Sequence, residues 1–398
     1  MRLLVIGGKL QGTEAAYLAG EAGYEVVLAD RRVGVPAAGL ANETHTFDIT
    51  ADVARTHELV RSCDAVLPAC EDDDTLAWLA DHVPAWELPL LFDLRSYALT
   101  SSKVRSNDLF ARLDVPRPLP WPRCGFPVVV KPSVGSGSHG VRLVRSEPEL
   151  ALARAELASS GDEVVAEEYV PGPSLSLEVI GWGAEAVALQ ATGLEFDALY
   201  DCKRVTAPVE PLGEVTAGVL SDLAVVSVQL ARGLGLQGVM DVEVMVGGGQ
   251  AKVLEIDARL PSQTPAAVFH SSGLNVVSML YETVAHGVLP QVPPRLSRGA
   301  VYQHVLVDGG RVEVLGERVI GAAAPLSRYD GLWGADVVLT DRDRGRDSWV
   351  AIIMTRGDDL AAARAKADQA VARLTEEHRL ELIPEGEPAS VTTRGVAS

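Results

Sequence analysis

Short apolar runs separated by amphipathic stretches mark the first 94 residues. RLLVIGG reads as a buried strand, Gln11 to Ala22 as a helix, and YEVVLAD as a second strand; DAVLPA is a further strand after THTFDIT, and PLLFD closes the block. Strands alternating with helices imply a parallel, doubly wound sheet, because a parallel connection needs a crossover long enough to hold a helix. A helix starting at Ser101 or Ser102, either of which can cap it, runs toward Leu113. The Pro-rich VPRPLPWPRCGFP then breaks the pattern, and the apolar strand PVVVK follows. From there to about residue 285 strands, Gly-rich turns and helices mix, and PQVPPR reads as a linker. The remainder predicts strands at AVYQHVLV and WVAIIMTRG and a helix over DDLAAARAKADQAVARLTEEHR.

One pair of runs alternates strictly. GVMDVEVMV puts Met240, Val242, Val244 and Val246 on one face and Asp241 and Glu243 on the other, while VLEIDAR separates Leu254, Ile256 and Ala258 from Glu255, Asp257 and Arg259. Gly247, Gly248 and Gly249 between them signal a turn. A hairpin centred on these glycines sets Glu243 opposite Glu255 and Asp241 opposite Asp257. Like charges so placed are destabilising unless neutralised. Two readings follow: a solvated acidic face, or a site for a hard divalent cation such as Mg²⁺, which prefers carboxylate oxygens and phosphates.

Two glycine-rich segments add candidate chemistry. GGKLQG lies between a strand and a helix, and Asp30 ends the next strand, a sketch of a dinucleotide site without the G-x-G-x-x-G spacing; tight packing explains the same glycines equally well. In VVVKPSVGSGSHGV, Lys131 ends a strand, and Gly135, Gly137 and Gly140 with their serines form a loop whose N–H groups can fold over phosphates. It is not a Walker A loop, since no G-K-[ST] occurs, and no H-R-D or D-F-G follows to make it a kinase loop. VVAEEYVPG taken alone is a strand end with solvated acids.

Composition narrows the partners. The chain has 398 residues, 47% hydrophobic and 22% charged, long enough for two or three domains. Its 54 acids and 35 bases leave a net charge of −19, which argues against nucleic acid or an anionic membrane surface but not against a small anion gathered by local bases. Four cysteines without C-x-x-C spacing suit reduced thiols, and the short apolar start suits neither a signal segment nor a membrane span, so a cytoplasmic protein is expected.

Taken in order, Lys103 at a helix start, Lys131 before the Gly/Ser loop, EEYV, and a hairpin of paired acids ending in Arg259 resemble the ATP-grasp superfamily over residues 1 to 285. GGKLQG, the FDIT segment, DAVLP, SLEVIG, YDC, MDVE, and above all EIDAR followed by PSQTP and SSG are similar to its branch of pyrrolysine-pathway ligases, which join methylornithine to lysine. ATP-grasp ligases more often carry Asn where this chain has Asp257. The resemblance implies an α/β fold of ATP-grasp architecture: a Rossmann-like domain (1–94), a two-part ATP-grasp domain (95–290, with 125–175 as a lid) and a C-terminal α/β domain (291–398), the last without a likeness of its own.

It further implies an ADP-forming carboxylate–amine ligase using ATP and Mg²⁺. A carboxylate is phosphorylated, and an amine then attacks the acyl phosphate. Phosphoryl transfer is mostly positioning and charge neutralisation, which suits these residues. Lys103 and Lys131 would hold phosphates, Ser136, Gly137 and Ser138 would close over the terminal one, and Glu167, Glu168, Tyr169 and Val170 would meet the adenosine; Lys9, Asp30, Asp48 and Ile49 are further nucleotide candidates. Glu243, Glu255 and Asp257 would hold Mg²⁺. Arg259, with Lys131, is the catalytic candidate. By the same resemblance (3R)-3-methyl-D-ornithine, or D-ornithine, would meet Arg259, Asp241, Leu175, Ser176, Leu177, Ser262, Gln263 and Thr264. L-Lysine would enter past Leu10 and Gln11 toward Glu71 or Asp72 and offer its ε-amine.

Competing readings remain within and outside the superfamily. A related ligase of specialised metabolism would join ornithine or another diamino acid to lysine, and a bicarbonate-using enzyme is also conceivable. An NAD(P)-dependent oxidoreductase built on GGKLQG has no use for the Lys131 loop or the paired acids, and a nucleotide-sensing binding protein has no use for the full set of lysines, acids and arginine.

Overall fold

The computed structural model describes residues 1–384 apart from 136, 138, 139, 160, 162, 293–296, 344 and 345. The predicted linker therefore falls partly outside the described residues, as do Ser136 and Ser138. Among the described residues the strands form three sheets.

The first sheet is parallel, with Arg2–Ile6, Glu25–Asp30, Glu43–Thr46 and Ala65–Pro68 in the spatial order third, second, first, fourth. Its inner strands are unbroken apolar runs because both faces are covered. Helix Leu10–Glu21 leaves the first strand directly and buries Ala15, Ala16, Leu18 and Ala19. PLLFD does not add a strand: Leu90 makes one parallel bridge to Val66, and Asp93 instead caps helix Leu94–Thr100 by accepting from Ser96 N. The short polar side chain of an N-cap aspartate satisfies an N–H that the helix leaves open, so the chain turns there.

The second sheet is small, with Val128–Pro132 between two antiparallel neighbours, Arg142–Val144 and Val164–Glu168. Helix Glu147–Ser159 covers it, and Val128, Val130, Val144, Leu150 and Ala153 give it a core of its own.

The third sheet has eleven strands. It runs from Gln250–Asp257 through Gly238–Gly247, Ser174–Trp182, Glu185–Phe196 and Cys202–Ala207, then on to Gly299–Asp308 and Ser348–Gly357. The C-terminal strands thus extend the same sheet, joined where Arg204 pairs with Gln303 and Ala207 with Ala300. Helix Leu360–His378, capped by Asp359, packs Ala363 and Ala367 against Val301. The four cysteines are all free.

The period of two decides what each face of this sheet does. Leu175, Leu177, Val179, Met240, Val242, Val244, Val253 and Ile256 share a core with Leu223 and Leu230 of helix Ala217–Leu234. Each such side chain stabilises the fold by about 1.5–3 kcal/mol. That helix is long and apolar enough to pass for a membrane span by length and composition, but here it packs against the sheet. The other face carries Ser174, Ser176, Glu178, Asp241 and Glu243, and most of these look onto a cavity.

Candidate active site

The hairpin sets Asp241 opposite Asp257 and Glu243 opposite Glu255, the pairing that the alternation predicts. It reaches that register by an unforeseen route. The turn uses only Gly248 and Gly249, both at positive φ (61° and 75°), which fits a two-residue I′ turn and pairs Gly247 with Gln250. A bulge at Leu254 then shifts the ladder by one residue before the acids. Consequently Leu254 and Glu255 both line the cavity, and the strict separation of even and odd positions fails there.

This cavity, about 540 Å³, lies between the three sheets and is of a size that holds small ligands. Two lysines meet at one end. Ser102 caps helix Lys103–Arg112, and the Lys103 N–H donates to Ser133 O at 2.8 Å, tying the helix to the end of the Lys131 strand. The Lys103 Nζ donates to Gly135 O at 2.7 Å and lies 2.9 Å from Glu255 Oε1. Lys131 Nζ lies 2.7 Å from Glu167 Oε1, and both side chains are buried. Burial alone would lower the Lys131 ammonium, but Glu167, Glu255 and Glu243 outweigh it, so the group is held above its ordinary value.

Beyond the lysines the acids dominate. Burial, then repulsion from Asp241, Glu255 and Asp257, pushes Glu243 well above the usual carboxylate range. Burial first and Glu178 second raise Asp241 to about 8, although its Oδ1 accepts a hydrogen bond from Ser176 Oγ. Asp257 is raised to about 6 by burial against the opposing pull of Arg259. Four oxygen-donor side chains that repel one another suit a hard divalent cation, so the residues present fit Mg²⁺. Among the described residues no three of them converge on one point, and Glu255 is paired with Lys103.

Arg259 closes the row. Ala258 N donates to Thr100 Oγ1 at 3.0 Å, which anchors the strand end, and Arg259 Nε then lies 2.8 Å from Glu71 Oε1 and Nη2 3.2 Å from Asp257 Oδ2. Gln11 Nε2 donates to the same Glu71 oxygen at 2.7 Å. Burial would lower the guanidinium, but Asp257, Glu71 and Asp241 raise it further, so it is a fixed cation. A planar donor fork in this position can grip a carboxylate or a phosphoryl group through two bonds.

The cavity wall brings together most of the residues that the sequence singles out: Leu10, Gln11, Glu71, Lys103, Lys131, Gly137, Glu167 to Val170, Asp241, Glu243, Glu255, Asp257, Arg259 and Ser262 to Thr264. Others lie elsewhere. Lys9 is exposed; Asp30 at the end of its strand accepts from Gly8 N in the loop after the first strand, Asp48 accepts from Thr50 N in a local turn, and Ile49 is buried in the core. Asp72 caps helix Asp73–His82 and pairs with Arg31. Leu175 and Leu177 point into the core, because on their strand the alternate residues Ser174, Ser176 and Glu178 face the other way. Glu168, although on the cavity wall, is paired with Lys252 at 2.7 Å.

Three acids of the wall have no role in the sequence reading. Asp197, Asp201 and Glu317 line the cavity from the side where the C-terminal strands join the sheet. Glu317 Oε2 accepts from Ser262 Oγ and from Gln263 Nε2, both at 2.7 Å.

Residues 100–263 match the ATP-grasp domain family. Over 367 residues, 92% of this chain and 95% of its relative, the sequence is 34% identical to the 3-methyl-D-ornithine–L-lysine ligase of Methanosarcina acetivorans. The chain belongs to that family of ATP-grasp proteins. Solved ATP-grasp structures share the fold at low identity. Biotin carboxylase from Campylobacter jejuni superposes with a TM-score of 0.74 at 15% identity, over 94% of this chain and 91% of that one. L-Amino acid ligase from Bacillus licheniformis gives 0.63 at 18% identity, over 92% and 97%. The ATP-grasp architecture accounts for the three sheets: the small one stands over the acid-bearing face of the large one, and the cavity lies between.

Proposed function

We propose that the protein is an ATP-dependent, ADP-forming ligase that activates the carboxylate of (3R)-3-methyl-D-ornithine as an acyl phosphate and couples it to the ε-amine of L-lysine. One observation carries the reading: two lysines, a row of facing acids and Arg259 meet in one cavity of a chain that is 34% identical to such a ligase over nearly its full length.

Each group has a task in that reaction. Lys103 and Lys131 approach from two elements and would grip phosphate oxygens, which requires each ammonium to exchange a carboxylate partner for ATP. Glu243, Glu255 and Asp257 would hold Mg²⁺, which supplies charge neutralisation at the transferring phosphoryl group. Arg259 would orient the substrate carboxylate and later steady the acyl phosphate. Glu167 to Val170 and Leu254 form the wall suited to the adenosine, and the small sheet over the cavity keeps water from the acyl phosphate. Leu10, Gln11 and Glu71 would admit lysine, whose amine attacks the acyl carbon and expels phosphate. The net charge of −19 fits a pair of cationic diamino acids and a cytoplasmic setting without nucleic acid or membrane.

Phosphate release with ATP and Mg²⁺ tests this across ornithine epimers, methylated and plain, with and without lysine. Release that needs both a D-ornithine and lysine supports the reading. Release that needs bicarbonate, or neither amino acid, defeats it.

A further inference from the structure

Glu14 is a carboxyl that no step of the proposed reaction uses. It lies one turn inside helix Leu10–Glu21, is 2% exposed, and stands behind rather than among the described residues of the cavity wall. Its Oε1 accepts from Ala266 N at 2.6 Å, and the Gln263 backbone is a second hydrogen-bond partner. Both belong to the start of helix Thr264–Ser272, where the N-cap residue Gln263 supplies no side-chain cap. The first N–H groups of a helix need an acceptor from outside it, so Glu14 caps one helix from another, 252 positions away in the chain.

The backbone that it holds is strained. Gln263 has φ 72° and ψ −54°, and Thr264 N donates to Ser262 O at 2.9 Å, which makes a γ-turn of the rare hand. Such a conformation persists where its surroundings over-determine it. This turn carries Ser262, Gln263 and Thr264 into the cavity wall on the side assigned to the acyl donor. Helix Leu10–Glu21 begins on the side assigned to lysine, where Leu10 and Gln11 line the cavity and Gln11 Nε2 donates to Glu71. Glu14 follows them by three and four residues, about 4.5–6 Å of helix axis. Further along, Tyr17 Oη lies 2.7 Å from His270 Nε2, and Asn275 Nδ2 donates to Leu18 O at 2.7 Å, so the helix is bolted to its neighbours at three points.

We infer that Glu14 is a positioning residue that ties the lysine end of helix Leu10–Glu21 to the strained turn at Ser262, Gln263 and Thr264, and so sets the approach of the amine to the acyl phosphate. The assignment rests on the ligase reading above. Attack by the amine forms the C–N bond, breaks the C–O bond to phosphate and gives a proton to solvent; attack by water returns the carboxylate with the same phosphate. Misplacement by about 1 Å slows an oriented attack on the order of a hundredfold, and the waiting acyl phosphate is then lost to water. Burial holds Glu14 up at about 8, so at pH 7 it is a neutral acid whose acceptor a glutamine amide reproduces.

The test compares amide formed with phosphate released at saturating lysine. Glu14→Met fills the space and removes the acceptor, and its amide per phosphate should fall by about tenfold or more. Hydroxamate formed with hydroxylamine, an acceptor that the lysine site does not hold, should stay near the wild-type rate. Glu14→Gln should restore the wild-type ratio. Glu14→Ala, which admits water but bridges nothing, should behave as Glu14→Met and takes its place if the methionine protein does not fold. The assignment is overturned if the apolar variant, folded by its melting curve, couples as wild type does or loses amide and hydroxamate in parallel, or if Glu14→Gln fails to restore the ratio; each leaves the ligase reading intact. Wild type that forms neither amide nor hydroxamate from D-ornithine or its methylated form defeats the ligase reading itself.

Discussion

Arg259 Nε lies 2.8 Å from Glu71 Oε1, so a side chain of the acid-bearing hairpin is held by one that follows the last strand of the N-terminal sheet. The guanidinium is a permanent cation among Glu71, Asp257 and Asp241, and its charge cannot be supplied by a neutral substitute. Arg259→Ala should lower turnover by about a thousandfold or more, the scale reached when a transition-state donor is removed. Arg259→Lys should recover little, because one ammonium cannot make the paired contacts of a guanidinium. Phosphate release measures both; an active Arg259→Ala enzyme would sink the assignment.

How much of this site was legible in the sequence depends on the range of the contacts. The pairing of Asp241 with Asp257 and Glu243 with Glu255 is local, set by alternation and a glycine turn, and was readable from VMDVEV-MVGGGQ-AKVLEIDAR. The bulge at Leu254 was not, since alternation says nothing about where a ladder gains a residue. Lys103 and Lys131 lie in separate elements, and only family resemblance placed them together. Glu317 needed the pairing of strands Cys202–Ala207 and Gly299–Asp308, which no local pattern encodes. Leu175 and Leu177 show the converse: a motif picks out a segment, while the period of two decides which of its side chains turn inward.

The acid row predicts a pH dependence of metal binding. Burial and mutual repulsion hold Asp257 up at about 6 and Asp241 at about 8, and raise Glu243 as well. Carboxylates must lose their protons to bind a cation, so the apparent Mg²⁺ affinity should weaken as pH falls from 8 to 6, with protons released on binding. Titration calorimetry in two buffers of different ionisation enthalpy would detect that release. A buffer-independent enthalpy would contradict the raised carboxyls.

Glu14 predicts a pH dependence of stability. It is buried, and its Oε1 accepts from Ala266 N at 2.6 Å, near the start of helix Thr264–Ser272 that follows the PSQ segment. Burial raises its carboxyl from the ordinary 4.5 to about 8. A group whose folded value is raised contributes stability that is fully present below the unfolded value and is lost as pH rises through the folded one. The melting temperature of the ligand-free protein should therefore fall between pH 5 and pH 8.5, and Glu14→Gln should flatten that slope. Parallel slopes for the two proteins would show that Glu14 is not responsible.

The Lys131–Glu167 pair separates stability from activity. Both side chains are buried, so Lys131→Met leaves an uncompensated carboxylate and should cost about 3–5 kcal/mol. The double substitution Lys131→Met with Glu167→Leu should regain most of that loss in urea unfolding while remaining inactive. Recovery of activity along with stability would show that Lys131 serves only the fold.

The central claim concerns which bond is made and which is broken, and isotopes follow both. D-Ornithine or its 3-methyl form, labelled with ¹⁸O in both carboxylate oxygens, is incubated with ATP, Mg²⁺ and L-lysine labelled with ¹⁵N at the ε-nitrogen. The account predicts one ¹⁸O in the released inorganic phosphate, one retained in the product, and the ¹⁵N in its new amide. Phosphate free of ¹⁸O, ¹⁸O found in AMP, or an amide built on the lysine α-nitrogen would contradict it.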